Sequence, residues 1–392
     1  MSKIILIFSL MYFFFNTAWS QNLAQEGWPL ALKEAYDHAI KTKKNYVLLV
    51  SRLPSLVLDY RTNNSLRDSL NRFEATRGFD IGHAMIGWHC TIDQIPYTTL
   101  VGFSGESNNQ HEDMLKSGWG LTSLLADFKD GFLQSPQDLQ QRFESFNEEF
   151  TKNPKDGSYL IATMFEITPI DCEEIVNEFF DYSSHEKEPL NHFGFLNDPD
   201  SFQGAGCGSF ANHFLKKVAA FKNIDTLFYR HYQIPYYLFG KGQETPEDVG
   251  IPQSIVALNS QKPVYRLNLL SLDWSPDKHR NISMKMIDPE LVLLWQKQFF
   301  NLKPTKMLPY DLSNDLPNNK VLKSKLNRSV WTKSNDFYGL APSSFTLSTI
   351  DEKYDEKSSQ VVSHAKEIMV NGRWKPSTFK FFNFPGVIWE RK

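Results

Sequence analysis

"GHAMIGWHCTIDQIPYTTLVGFSG", residues Gly82–Gly105, is the stretch on which the reading of this chain turns. Two runs rich in apolar, β-branched and aromatic residues flank a short polar turn at "DQIP", the pattern of a β-hairpin. Centring the turn on Asp93–Gln94 places Ser104 opposite His83, and a slip of a residue or two brings Glu106 there instead. Strand side chains alternate faces, so His83, Met85, Gly87 and His89 share one face. Ala84, Ile86, Trp88 and Cys90 share the other. The alternation argues against a metal held by His89 and Cys90, and no second His/Cys cluster at zinc-like spacing accompanies them. His89 therefore reads as a groove or surface residue.

Outward from the hairpin, helices and strands mix. "GWPLALKEAYDHAIKTKK" (Gly27–Lys44) has helical spacing, and "NYVLLVSRLPSLVLDY" reads as a strand, a turn at Pro54 and a second strand. Ser135–Asn153 is a helix after a Ser-Pro start, and "GSYLIATMFEIT" is a strand. "PIDCEEIVNEFFDYSSHEK" is an amphipathic helix. Its paired acids form a solvated face rather than a glycosidase pair, whose carboxylates must straddle a cleft. The loop "LNHFGFLNDPDSFQGAG" leads into "CGSFANHFLKKVAAF", a helix with Phe210, Phe214, Val218 and Phe221 on one side. Beyond about residue 236 the signals weaken, apart from a helix at Pro289–Phe300. The expected class is α+β, with a signal segment at 1–20, a domain at 21–235 and an irregular C-terminal accessory region at 236–392 that wraps the core.

Lys3, the apolar run Ile4–Phe15 and "NTAWSQ" form a secretory signal with cleavage after Ser20. The expected location is secreted or periplasmic, with no membrane anchor after cleavage. The 392 residues carry a net charge of −3, without the basic excess that nucleic-acid binding requires. Gly-x-Ser-x-Gly, Walker and dinucleotide fingerprints do not occur, and no cofactor is implied. Sequons stand at Asn63 and Asn327. Three cysteines, Cys90, Cys172 and Cys207, are too few for a disulfide scaffold. A Cys90–Cys172 bridge would leave Cys207 free, although connectivity does not follow from sequence.

Cys207 carries the chemistry. In "GAGCGSFANHFLKK" it stands where a Gly-rich loop becomes a helix. Unpaired N–H groups and the positive end of the helix dipole there stabilise a thiolate and an acyl-transfer oxyanion. A nucleophilic thiol needs a base, which His83 at the start of its strand can supply, with Ser104 or Glu106 orienting the imidazole. His213, six residues after Cys207, is turned away from the first helical turn and reads as structural or surface.

The "GHA-hydrophobic-I-G" strand, the adjacent "TTLVGFSGES", the "GWG" at Gly118–Gly120 and the later "GCGSFANHFL" come in an order that resembles the circularly permuted, NlpC/P60-related branch of the papain-like thiol hydrolases. The resemblance covers roughly residues 80–220. Its histidine motif falls on Gly82–Ile86, with Met85 at the aromatic position, and its cysteine motif on Gly206–Phe210, with Gly206 replacing the usual Asn. It implies an antiparallel sheet packed against the cysteine helix, and a hydrolase acting on a peptide, cell-wall or other amide or ester bond. An acyltransferase of the same fold and a non-catalytic exported binding protein are the alternatives.

Overall fold

The computed structural model describes residues 26–53, 82–105, 108–152, 159–222, 224–243, 247–251, 262–272, 281–287, 292, 295–296, 344–355, 360–371 and 374–391. The expected signal segment, the second strand after Pro54, Glu106 and most of the helix expected at Pro289–Phe300 lie outside the described residues.

The hairpin is present in the expected register. Strand β1 (Asn45–Leu53) lies beside β2 (His83–Ile92), which pairs antiparallel with β3 (Ile95–Gly105). The turn residues Asp93 and Gln94 have φ of 49° and 67°. Positive φ at both turn positions matches the right-handed twist of the flanking strands. Short strands β4 (Asp127–Phe128) and β5 (Gly131–Gln134) follow, then β6 (Tyr159–Ile167). Further on come β7 (Tyr229–Pro235), β8 (Val249–Gly250), β9 (Asn281–Ile287), β10 (Ser344–Asp355) and β11 (Gln360–Asn371). The last two strands are β12 (Trp374–Phe381) and β13 (Phe384–Arg391).

Seven strands form one sheet in the order β12-β13-β6-β1-β2-β3-β5. Its neighbours are antiparallel except β13 and β6, which run parallel with Val387 opposite Thr163. The molecule is thus α+β with a mostly antiparallel sheet. The closing hairpin, within the stretch expected to be an irregular accessory region, belongs to this sheet.

Helices cover both faces. They are α1 (Lys33–Thr42), α2 (Asn108–Lys116), α3 (Pro136–Lys152), α4 (Pro169–Ser184), α5 (Cys207–Leu215), α6 (Asp225–Phe228) and α7 (Arg266–Ser271). The cysteine helix α5 and α4 pack on the Trp88 face. The Trp88 ring lies 5.2 Å from Phe179 and 6.0 Å from Phe214, and Phe103 stacks on Phe210 at 5.1 Å. Helices α1 and α3 cover the opposite face. Tyr36 meets His89 edge-on at 6.2 Å, and the Arg52 guanidinium sits 4.5 Å above the Phe146 ring. Two-sided cover explains why β2 is buried from Ala84 to Cys90 rather than alternating between core and solvent.

Cys90 and Cys172 form a disulfide, tying β2 to α4 and leaving Cys207 as the free thiol. Helix α4 begins with a capping box: the Thr168 hydroxyl accepts from the Asp171 N–H at 3.1 Å, and the Asp171 carboxylate accepts from the Thr168 N–H at 2.8 Å. No helix among the described residues is long and apolar enough to cross a membrane.

Candidate active site at the fork between two strands

The ladder between β2 and β3 runs from the turn to the pair Met85–Gly102 and stops. One step further, Ala84 and Phe103 would face each other. Beyond Met85–Gly102, β3 keeps only the neighbour on its other edge, β5, with Gly102 opposite Gln134 and Ser104 opposite Phe132. The strands part here, and both candidate catalytic residues converge on the fork.

Cys207 arrives from the Trp88 face. It is the first residue of α5, with Gly206 as the N-cap. Gly206 has no side chain to cap the helix, and Ser209 takes up part of the task. Its Oγ accepts the Gly206 N–H at 2.9 Å. The Cys207 thiol is 6% exposed and donates to the Gly82 carbonyl at 3.7 Å. Burial pushes its pKa above the ordinary thiol range, while the backbone N–H groups of Ala84, Gly208 and Cys207 and the charge of Arg52 pull the other way. The Ala84 N–H is freed for this contact by the opening of the ladder. The sulfur therefore sits where thiolate donors converge, yet keeps its proton at rest.

His83 arrives from the opposite face. Its half-buried ring leans toward Gly102, and Nε2 lies 3.0 Å from the Gln134 side-chain amide. Arg142 on α3 brings Nε, Nη1 and Nη2 within 3.0–3.2 Å of the far side of the amide. That end of the amide therefore lies over the guanidinium plane, in line with none of its N–H bonds, and the Gln134 oxygen at the other end lies 3.0 Å from His83 Nε2. Burial, then the charges of Arg52 and Arg142, bring the His83 pKa down to about 4, so the ring is neutral at physiological pH. Arg52 stands opposite His83 on β1, and burial lowers its own pKa to about 10.

The structure therefore brings His83 and Cys207 to one fork from two faces, and no hydrogen bond joins them. The orienting group differs from the expectation. The β2–β3 ladder ends before the His83–Ser104 pair that the hairpin register predicts; Ser104 stands opposite Phe132 on β5, and its hydroxyl donates to the Gly105 carbonyl at 3.5 Å. Glu106 lies outside the described residues. The side chain on His83 is Gln134, contributed by β5 rather than by the hairpin partner. Two signals bear on it: the amide closing the apolar run "GFLQ" just before a Ser-Pro helix start, and Gly102 inside an otherwise bulky strand. A Cβ at Gly102 would lie 2.3 Å from the Gln134 side chain and 3.0 Å from His83 Nε2.

No known protein family, curated protein or solved structure matches the chain.

The remaining histidines of interest are structural. His89 is buried rather than in a groove. Its Nδ1 pairs with Thr98 Oγ1 at 2.8 Å, and its ring lies between Trp28 and Tyr36. His213 is also buried, with Nδ1 2.6 Å from Asp200 and Nε2 2.7 Å from Glu178. Both ring nitrogens face carboxylate oxygens. Lys216 and Lys217 close the same network on Asp200 and Glu178.

Proposed function

We propose that the protein is an exported cysteine hydrolase of the permuted papain-like type, acting on an amide or ester of a peptide or cell-wall substrate. One observation carries the reading. A free thiol opens a helix at a fork between two strands, among three backbone N–H groups, and across that fork stands an imidazole held by a side-chain amide. Export is supported by the N-terminal apolar segment and by the Cys90–Cys172 bridge, since disulfides persist in oxidising compartments.

In this reading Cys207 attacks the substrate carbonyl carbon and its proton passes to His83. The oxyanion accepts N–H hydrogen bonds at the start of α5. His83 then protonates the departing amine or alcohol, and water, deprotonated by His83, resolves the thioester and restores the thiol. Gln134 takes the orienting role assigned earlier to Ser104 or Glu106. With Nε2–H donating to the Gln134 side-chain oxygen, Nδ1 keeps the lone pair that receives the thiol proton. A non-catalytic exported binding protein is the second reading, favoured by the raised thiol pKa and the missing sulfur–imidazole hydrogen bond. An acyltransferase would share every step except the acceptor, an alcohol or amine in place of water.

The test is alkylation of the mature protein by a thiol-reactive probe across pH 6–10 (about the range in which a thiol titrates), with Cys207→Ser and His83→Ala variants. The hydrolase reading expects labelling confined to Cys207 and slowed about tenfold or more by His83→Ala, within the range of general-base effects. Labelling indifferent to His83 supports the binding-protein reading. Model amide and ester substrates, with hydroxylamine as a competing acceptor, then separate hydrolysis from acyl transfer.

A further inference from the structure

We infer that Arg142 is a carboxylate-binding residue of the site: the amide or ester cleaved there carries a carboxylate close to the scissile bond, and Arg142 holds it. The inference rests on the hydrolase reading and names its substrate class. The first observation is how Arg142 is seated. One end of the Gln134 amide lies over its guanidinium, within 3.0–3.2 Å of Nε, Nη1 and Nη2 alike. A guanidinium covered on its face keeps five N–H bonds directed outward in its plane, a fork that matches the two oxygens of a carboxylate. Arg142 is exposed, so these donors are within reach of a ligand. Among the described residues no carboxylate takes the fork. The acids of its own helix α3 are engaged elsewhere. Asp138 accepts from the Ser135 N–H and hydroxyl at 2.9 and 2.8 Å, Glu144 from Gln140 at 2.6 Å and Glu148 from Lys152 at 3.2 Å. The charge of Glu149 acts on Arg52.

The second observation is where the fork stands. The other end of the same amide lies 3.0 Å from His83 Nε2, so Arg142 is one side-chain amide away from the proposed base. Phe146, one turn beyond Arg142, carries the Arg52 guanidinium 4.5 Å over its ring, and Arg52 stands opposite His83 on β1. Two guanidinium charges thus flank one imidazole, and they repel each other. An anion bound at Arg142 relieves that repulsion. It also offsets one of the two charges that, after burial, hold the His83 pKa down, so a bound carboxylate makes the imidazole a stronger base. A substrate without the carboxylate loses the anchor and the gain in basicity together.

Three thiol-alkylating peptides of one size test this on the full chain at neutral pH. Chloroacetyl-glycyl-glutamine amide has no carboxylate, chloroacetyl-glycyl-glutamate amide has one on the side chain, and chloroacetyl-glycyl-glutamine acid has one at the terminus. In each, the Cys207 sulfur displaces chloride and forms the S–C bond, and the thiol proton passes to the base. The wild type is expected to react about tenfold faster with one of the two carboxylate reagents than with the amide, the scale of a partly exposed charge-assisted hydrogen bond. Which of the two it prefers tells a side-chain from a terminal carboxylate. Added salt is expected to shrink the preference. Arg142→Gln is expected to abolish it, and Arg142→Lys, which keeps the charge without the fork, to retain part. Equal rates for all three reagents in the wild type, a comparison that needs no variant, overturn the inference, as does a preference that survives Arg142→Gln. His83→Ala separates the two readings. Rates that fall in that variant with no carboxylate preference in the wild type leave the hydrolase reading standing and sink the carboxylate site. An Arg142-dependent preference with rates indifferent to His83→Ala leaves the carboxylate site standing and sinks the hydrolase reading.

Discussion

Gly102 is the residue on which the site turns, because hydrogen alone leaves room there for two side chains to meet. A Cβ at this position would stand 2.3 Å from the Gln134 side chain and 3.2 Å from Met85 as well as close to the His83 ring. Gln134 is buried, so it has little freedom to withdraw. Gly102→Ala is expected to cost about 1–3 kcal/mol, as overpacking does elsewhere. It should also push the amide off the imidazole. Denaturant midpoints check the first effect and the histidine 15N spectrum the second. Unchanged stability together with an unchanged His83 spectrum would mean that the fork is loosely packed. The glycine was visible in sequence as an interruption of a bulky strand, but its purpose was not. Gln134, the residue it makes room for, comes from a strand of four residues that carries too little pattern to be placed from sequence.

At the scale of elements, α4 and α5 are clamped together on the sheet by His213 and its carboxylates. Glu178 comes from α4, and the His213 hydrogen bond, followed by Lys217, holds its pKa down to about 2. Asp200, from the loop before α5, is held well below the usual carboxylate range, first by His213 and then by Lys216. Both folded values lie below those of the unfolded chain, which are about 4. Their contribution is therefore complete above pH 4 or so and is lost as pH falls toward about 2. The melting temperature of the wild type is expected to fall over that window. Glu178→Gln should flatten the slope, and an identical acid profile in that variant would show the clamp to be inert. This matters to the site because α5 carries Cys207, and any shift of the helix moves the sulfur along the fork. The histidine was read as structural or surface from its spacing after Cys207. Its two carboxylate partners lie 13 and 35 residues away in sequence, beyond the reach of any local pattern.

Across the whole molecule, the last described strands complete the sheet on which the site is built. Strand β13 lies parallel beside β6, and Phe379, Phe381, Phe384, Val387, Ile388 and Trp389 are buried. Each such side chain is worth about 1.5–3 kcal/mol when fully buried. Ending the chain before residue 374 would strip this cover from β6 and leave a long, apolar edge unpaired. The truncated protein is expected to lose its cooperative thermal transition or to aggregate. A midpoint within about 3 °C of the full chain, a shift of roughly 1 kcal/mol at this size, would show that the hairpin is only an appendage.

Local pattern determined a good deal here. The alternation of Gly82–Gly105, the turn at Asp93–Gln94, the helices at Pro136–Lys152 and Pro169–Ser184, and the placement of Cys207 at a helix start all follow from short-range rules. Those rules govern neighbours a few residues apart. The pairing of Cys90 with Cys172, the meeting of His83 with Gln134 and Arg142, and the return of the C-terminal hairpin to the sheet join residues from 51 to more than 200 positions apart. Only tertiary packing decided them, because each depends on which strand lies beside which and on what the fork between two strands leaves room for.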